Sequence, residues 1–167
     1  VEAQQRQAVE GLKEVYGAEV PAQADVTITS GYPLEVNLIQ SGKAILLADA
    51  ITKPGGTIVL VSACPSGAGP LMYETLSERP GPDEVVDWIA TGKSNPTGGP
   101  MASRLRSLVQ AKQLVIVTSG LTQSQLTEME FGYAASVEDA LGELSRSNGS
   151  RDVVVLPIGG STYPYLA

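Results

Sequence analysis

Thr57-Ile58-Val59-Leu60-Val61-Ser62-Ala63 is the stretch on which the fold turns. A strand with one face in water alternates apolar and polar residues, whereas Ile58 to Val61 are apolar without a break. Such a run suits a strand covered on both faces, as in a mainly parallel sheet between two helical layers. Leu114 to Thr118 and Val153 to Ile158 have the same character, and Asp25 to Thr29 carries Val26 and Ile28 against polar neighbours. With a short strand over Phe131 to Ala134, the sheet comes to about five strands.

Helical periodicity fills the intervals. Val9, Leu12 and Tyr16 give an amphipathic helix over Glu2 to Tyr16, ended by Gly17. Leu38 to Ala50 is a second helix, and a further one carrying Tyr73, Glu74 and Glu78 follows the loop at Gly67 to Pro70. Pro82 to Thr91 reads as helix, with Val85 and Ile89 on one side and Trp88 in a core or an interface. Met101, Leu105, Leu108 and Val109 mark another. Ser136 and Asp139 cap the last, whose buried stripe is Val137, Ala140, Leu141 and Leu144 and whose stop is Asn148-Gly149. Gly92 to Pro100 is the longest irregular stretch. Strands alternating with helices are what crossover connections require. The expectation is a single α/β domain over residues 1–167, three-layer αβα and Rossmann-like.

Composition narrows the function. A net charge of −7 speaks against nucleic acid and against an anionic membrane surface, both of which attract basic patches. No apolar run approaches the ~20 residues of a membrane span and no signal-peptide pattern is present, so a cytoplasmic location is expected. The single cysteine, Cys64, has no partner for a disulfide or a structural zinc site and reads as an inert thiol. The chain has no histidine, the usual acid/base group near neutral pH and the commonest metal ligand. Histidine chemistry must come from elsewhere, and Val1, not methionine, at the start reads as an excised piece of a larger enzyme.

In open α/β sheets ligands bind at the carboxyl ends of the strands. Those loops are rich in small residues: Ser30-Gly31-Tyr32-Pro33, Cys64-Pro65-Ser66-Gly67-Ala68-Gly69, Ser119-Gly120 and Gly159-Gly160-Ser161-Thr162. Glycine admits close approach of a ligand, and hydroxyls near helix N-termini favour a carboxylate or phosphate; tight turns need glycine in any case. Neither a Gly-x-Gly-x-x-Gly fingerprint nor a Walker loop is present. Gln40 and Lys43, three apart near a helix start, share one face. Beside the helix N-terminus they would hold a small carboxylate by charge, hydrogen bonding and dipole, although such a pair is commonly a solvated face. Arg104 and Arg106 read as solvated.

The stretch Thr29 to Lys43, followed by a helix, Pro54-Gly55-Gly56 and an apolar strand, resembles the C-terminal domain of the nickel-dependent lactate racemase family. The family motif, approximately Gly-Tyr-Pro-Leu-Asp-Gln-Asn-Ile-Tyr-Gln-x-x-Lys, is matched at Gly31, Tyr32, Pro33, Leu34, Asn37, Gln40 and Lys43. Glu35, Val36 and Ile39 depart from it, and no aromatic residue stands near Gly98 to Met101, where lactate racemases carry a tryptophan. The resemblance implies a racemase or epimerase of 2-hydroxy acids that moves a hydride through a nickel pincer nucleotide. The cofactor, its ligands and two acid/base histidines would belong to an N-terminal domain absent here, leaving this piece inactive alone, with no catalytic residue, metal or cofactor of its own. The substrate-binding residues it implies are Gln40, Lys43, Ile39 and Tyr32. Tyr163 and Tyr165 would then begin a return to the missing domain. The competing readings are a non-catalytic small-anion-binding or regulatory module and, behind it, a nucleotide-binding domain.

Overall fold

The computed structural model describes residues 2–145 and 150–167. Its element order is α1 (Glu2–Tyr16), β1 (Gly17–Val20), β2 (Ala24–Ser30), α2 (Leu38–Asp49), β3 (Thr52–Val61), α3 (Met72–Ser77), α4 (Pro82–Thr91) and α5 (Gly99–Ala111). There follow β4 (Gln113–Val117), α6 (Gln123–Glu128), β5 (Gly132–Tyr133), α7 (Val137–Ser145), β6 (Val153–Leu156) and β7 (Tyr163–Leu166). The main sheet has five strands in the order β5-β4-β3-β2-β6, all parallel. Helices flank it on both faces, so the three-layer αβα reading holds.

The unbroken apolar run of β3 is explained by its two faces. Ile58 and Leu60 face the larger core with Leu38, Ile45, Leu105 and Leu126, from α2, α5 and α6. Val59 joins Val26, Ile28 and Ala140 on the opposite side, with Val137, Leu141 and Leu144 of α7 packed against them. Leu38, Ile45, Ile58 and Leu60 are fully buried, each worth roughly 1.5–3 kcal/mol relative to exposure. Among the described residues α7 is the helix packed on that second side, and on edge strand β6 Val153 and Val155 stay 46% and 58% exposed. No helix among the described residues is long and apolar enough to cross a membrane.

Several boundaries move. Gly17 stops α1 but also opens β1, and Tyr163 and Tyr165 lie in a strand, β7, which pairs in parallel with β1, Gly17 opposite Tyr163 and Glu19 opposite Tyr165. The α1 residues Val9, Leu12 and Tyr16 are exposed, so their stripe covers no core of this chain. β3 begins at Thr52 and takes in Pro54-Gly55-Gly56, where its register against β2 shifts. Gly99 and Pro100, read as loop, form the first turn of α5, a position that tolerates proline's missing N–H. Helix α6 went unread, although Thr122 and Gln125 form a reciprocal cap, the amide of Gln125 on Thr122 Oγ1 at 3.2 Å and that of Thr122 on Gln125 Oε1 at 2.9 Å. Ser136 caps α7 through the amide of Asp139 at 3.0 Å; the stop at Asn148-Gly149 lies outside the described residues.

Arg104 is exposed, but Arg106 is not solvated. It is 7% exposed, with Nε donating to the carbonyl of Pro80 at 2.8 Å and Nη1 2.5 Å from Glu130 Oε2. The guanidinium holds the Glu130 carboxyl below its ordinary value of 4.5. A carboxylate with a depressed folded-state pKa stabilises the fold above its unfolded pKa, and that contribution disappears as pH falls through the folded value. Urea midpoints measured from pH 7 to pH 3 should therefore drop less steeply for Glu130→Gln than for the wild type. Parallel curves would mean that the pair carries no pH dependence.

Candidate functional site

The carboxyl ends of the parallel strands are tied to one another before any ligand is considered. Gly31 donates to Val61 O at 2.8 Å, Ser62 to Val117 O at 3.0 Å, and Gly160 to Tyr32 O at 3.0 Å. Thr118 Oγ1 donates to Ala63 O at 3.0 Å, and Ser30 Oγ accepts from the amide of Tyr32 at 3.0 Å. The Thr118 hydroxyl hydrogen is thus spent on neighbouring backbone, whereas Ser30 accepts there and keeps its own hydrogen to donate.

Helix α2 rises from this platform because Asn37 ends the extended loop before it. The Asn37 side chain accepts from the amide of Gln40 at 3.1 Å, an N-cap that a Asn-x-x-Gln pattern signals in the sequence. Leu38 N donates to Gly67 O at 3.0 Å and Ile39 N to Ala68 O at 3.3 Å. The first N–H groups of α2 are therefore all occupied. The sequence reading put a carboxylate on this N-terminus; the structure leaves it the side chains instead, with the dipole as background. Replacing Asn37 by alanine should cost about 1 kcal/mol of stability, read as a lower urea midpoint, and Asn37→Asp should keep most of it.

Gln40 and Lys43 do meet. The Lys43 ammonium donates to Gln40 Oε1 at 2.8 Å, one helical turn apart on the outer face of α2. With one lone pair of its oxygen engaged by Lys43, the Gln40 amide still offers two N–H groups, and Lys43 retains two N–H donors. The pair presents four N–H donors and a positive charge, so a small anion with acceptor oxygens is what it is suited to hold. Tyr32, on the loop after β2, is 55% exposed. Ile39 is placed differently from a ligand wall: at 6% exposure it belongs to the core, under the backbone of two loops. A Cβ at Gly69 would lie 2.7 Å from Ile39 Cδ1, and one at Gly98 3.1 Å. It supports those loops from below and shows a ligand little surface.

The polar residues that sequence reasoning missed lie inside. Ser41, Ser62 and Cys64 are buried together between α2 and the end of β3, with Ser41 Oγ 2.7 Å from Ser62 Oγ. Their only sequence signal is their polarity within apolar segments. Cys64 is a buried free thiol, in keeping with the inert role read for it.

Comparison with known proteins places this arrangement. Residues 18–162 match the lactate racemase C-terminal domain family. The chain is 28% identical over 166 residues to the lactate racemase of Lactiplantibacillus plantarum, covering 95% of itself and 39% of that protein. It is also 28% identical over 145 residues to the lactate racemase of Thermoanaerobacterium thermosaccharolyticum, covering 83% of itself and 34% of that protein. Among solved structures, the lactate racemase apoprotein from T. thermosaccharolyticum superimposes with a TM-score of 0.80 at 26% identity, over 96% of this chain and 40% of that one. A Thermotoga maritima protein, at a TM-score of 0.60 and 11% identity over 97% of this chain and 41% of that one, shares the fold alone. The chain thus spans about two-fifths of the length of the relatives it matches.

Proposed function

Since the chain belongs to the lactate racemase C-terminal domain family, we propose that it is the substrate-clamping domain of a longer racemase or epimerase acting on a 2-hydroxy acid. The observation that carries this reading is the Lys43–Gln40 pair, an exposed, positively charged and donor-rich face on a firmly capped helix. A 2-hydroxy acid brings the complementary group, a carboxylate whose oxygens accept from both side chains. Fixing that group orients the α-carbon, and closure of another domain over it would exclude water and strengthen the charge interaction. Tyr32, exposed on the loop after β2, is assigned to the same substrate site.

The chemistry itself belongs elsewhere in the longer protein. The sequence has no histidine, and the described residues include no group of three or more His, Cys, Asp or Glu that could hold a metal ion. The one cysteine is fully buried. This chain's donors do not fit a nickel-bearing group, so that cofactor and the acid/base groups are assigned to a separate N-terminal domain, and this domain alone is expected to be inactive.

The test is racemisation of a panel of 2-hydroxy acids by the complete, cofactor-loaded protein, followed by chiral chromatography. Turnover of at least one acid supports the proposal. Carboxylate binding without turnover of any of them would instead assign the chain to non-catalytic small-anion binding.

A further inference from the structure

Beneath the Tyr32 loop lies a run of polar contacts that the substrate clamp does not use. Ser41 Oγ donates to the carbonyl of Leu34 at 3.1 Å and lies 2.7 Å from Ser62 Oγ, and Cys64 Sγ is 3.4 Å from Ser62 Oγ. All three side chains are buried. Counting protons gives the run a direction. A carbonyl only accepts, so the single hydroxyl hydrogen of Ser41 is spent on Leu34. At the 2.7 Å contact Ser62 must then be the donor, which uses its own hydrogen and leaves its oxygen to accept from the Cys64 thiol. The order is Cys64 S–H to Ser62 O–H to Ser41 O–H to Leu34 C=O, with Cys64 Sγ also 3.7 Å from Ser41 Oγ.

We infer that this one-way chain of buried donors sets the clamp's geometry, and that Ser62 is a positioning residue acting through Ser41. Its acceptor end is the loop that carries Tyr32, and its middle link, Ser41, sits on α2 between Gln40 and Lys43. Its donor end, Ser62 and Cys64, is anchored in the segment directly after β3. Gly31 seals the arrangement: a Cβ there would lie 2.6 Å from Ser62 Oγ and 3.0 Å from Ser41 Oγ, so only glycine lets the loop rest on the two hydroxyls. Removing the Ser62 hydroxyl leaves the loop folded, since the Gly31 to Val61 and Leu34 to Gly31 bonds at 2.8 and 2.7 Å remain. What is lost is the donor that fixes the Ser41 hydroxyl, and with it the alignment of the bond that Ser41 makes from α2 to the Leu34 carbonyl. Chains of this kind couple their members, so single and double deletions should not add.

This inference rests on Gln40 and Lys43 being the substrate face, and the experiment separates the two claims. In the complete protein Ser62→Ala should raise KM for D-lactate, or for whichever 2-hydroxy acid is turned over, about tenfold with kcat within about twofold, the effect of one lost hydrogen bond. Ser41→Ala, which removes the bond to Leu34 itself, should raise KM at least as much, Ser41→Ala/Ser62→Ala should be no worse than Ser41→Ala, and Cys64→Ser, which keeps a donor, should retain the wild-type KM. In the 167-residue chain, amide hydrogen exchange over Gly31 to Asn37 should quicken in Ser62→Ala while β4 and α5 are unchanged. A lower melting temperature with KM and loop exchange both unaltered would overturn the inference, leaving a merely structural role. If the complete wild-type protein turns over no 2-hydroxy acid, the proposed function falls, and unchanged loop exchange would then sink the positioning chain as well. Should Ser62→Ala not fold, Cys64→Ala breaks the chain one link earlier and is judged by the same readouts.

Discussion

Lys43→Ala in the complete protein is expected to lower kcat/KM for its 2-hydroxy acid by roughly 10- to 100-fold, the equivalent of about 1.5–3 kcal/mol for a hydrogen bond to a charged group. Lys43 is exposed and its hydrogen bond goes to Gln40 on the same helix, so the substitution removes no core contact. The melting temperature should hardly move, as for surface changes in general. If the ammonium grips the carboxylate equally in the bound state and in the transition state, the whole loss appears in KM. A fall confined to kcat would mean that Lys43 meets charge that develops during the reaction. An unchanged kcat/KM would end its assignment to the substrate. Gln40→Ala should show a smaller loss of the same kind, because it removes a neutral donor.

Gly120→Ala should be the most damaging single change at the strand ends. A Cβ at Gly120 would sit 1.8 Å from Cys64 O, 2.5 Å from its carbonyl carbon and 2.7 Å from Ala63 O. All three are backbone atoms at the end of β3, fixed by Ser62 N on Val117 O and by Thr118 Oγ1 on Ala63 O. No side chain can swing aside, so the loops after β3 and β4 must part, at a cost at or above the upper end of the ~1–3 kcal/mol typical of overpacking. Gly142→Ala is the control: within α7 its Cβ would meet nothing within 4 Å, and it should stabilise by roughly 0.5–1 kcal/mol. Urea unfolding of the two variants should shift in opposite directions. Equal midpoints would show that the Gly120 contact relaxes freely.

What the sequence could reveal follows the strength of each local signal. Ile58 to Val61 identified a doubly covered strand because hydrophobic burial leaves its mark on every residue of the run, and α4 was legible over its full span from Pro82 at its start to Gly92 at its end. β1 and β7 were not legible. Four residues each, broken by Pro164 and by mixed polarity, they become strands only by pairing with one another across the length of the chain. Arg106 was misread because charge suggests solvent, and nothing local announces Glu130 and the Pro80 carbonyl waiting for it. At the site, spacing on α2 was enough to bring Gln40 and Lys43 together. Ile39 was assigned to the ligand by its place in a motif, whereas Gly69 and Gly98 lie over it, a contact that only tertiary structure creates. The hydroxyls of Ser41 and Ser62 gave no warning, since their meaning depends on each other.

The pairing of β1 with β7 also sets how the domain bears tension. The two strands run in the same direction, Gly17 beside Tyr163 and Val20 beside Leu166. A pull entering at Gly17 and leaving at Leu166 therefore drags them past each other lengthwise. Their hydrogen bonds share the load together, unlike a hairpin, which unzips one rung at a time. Residues 21–162 sit behind that clasp and are shielded from traction until it shears.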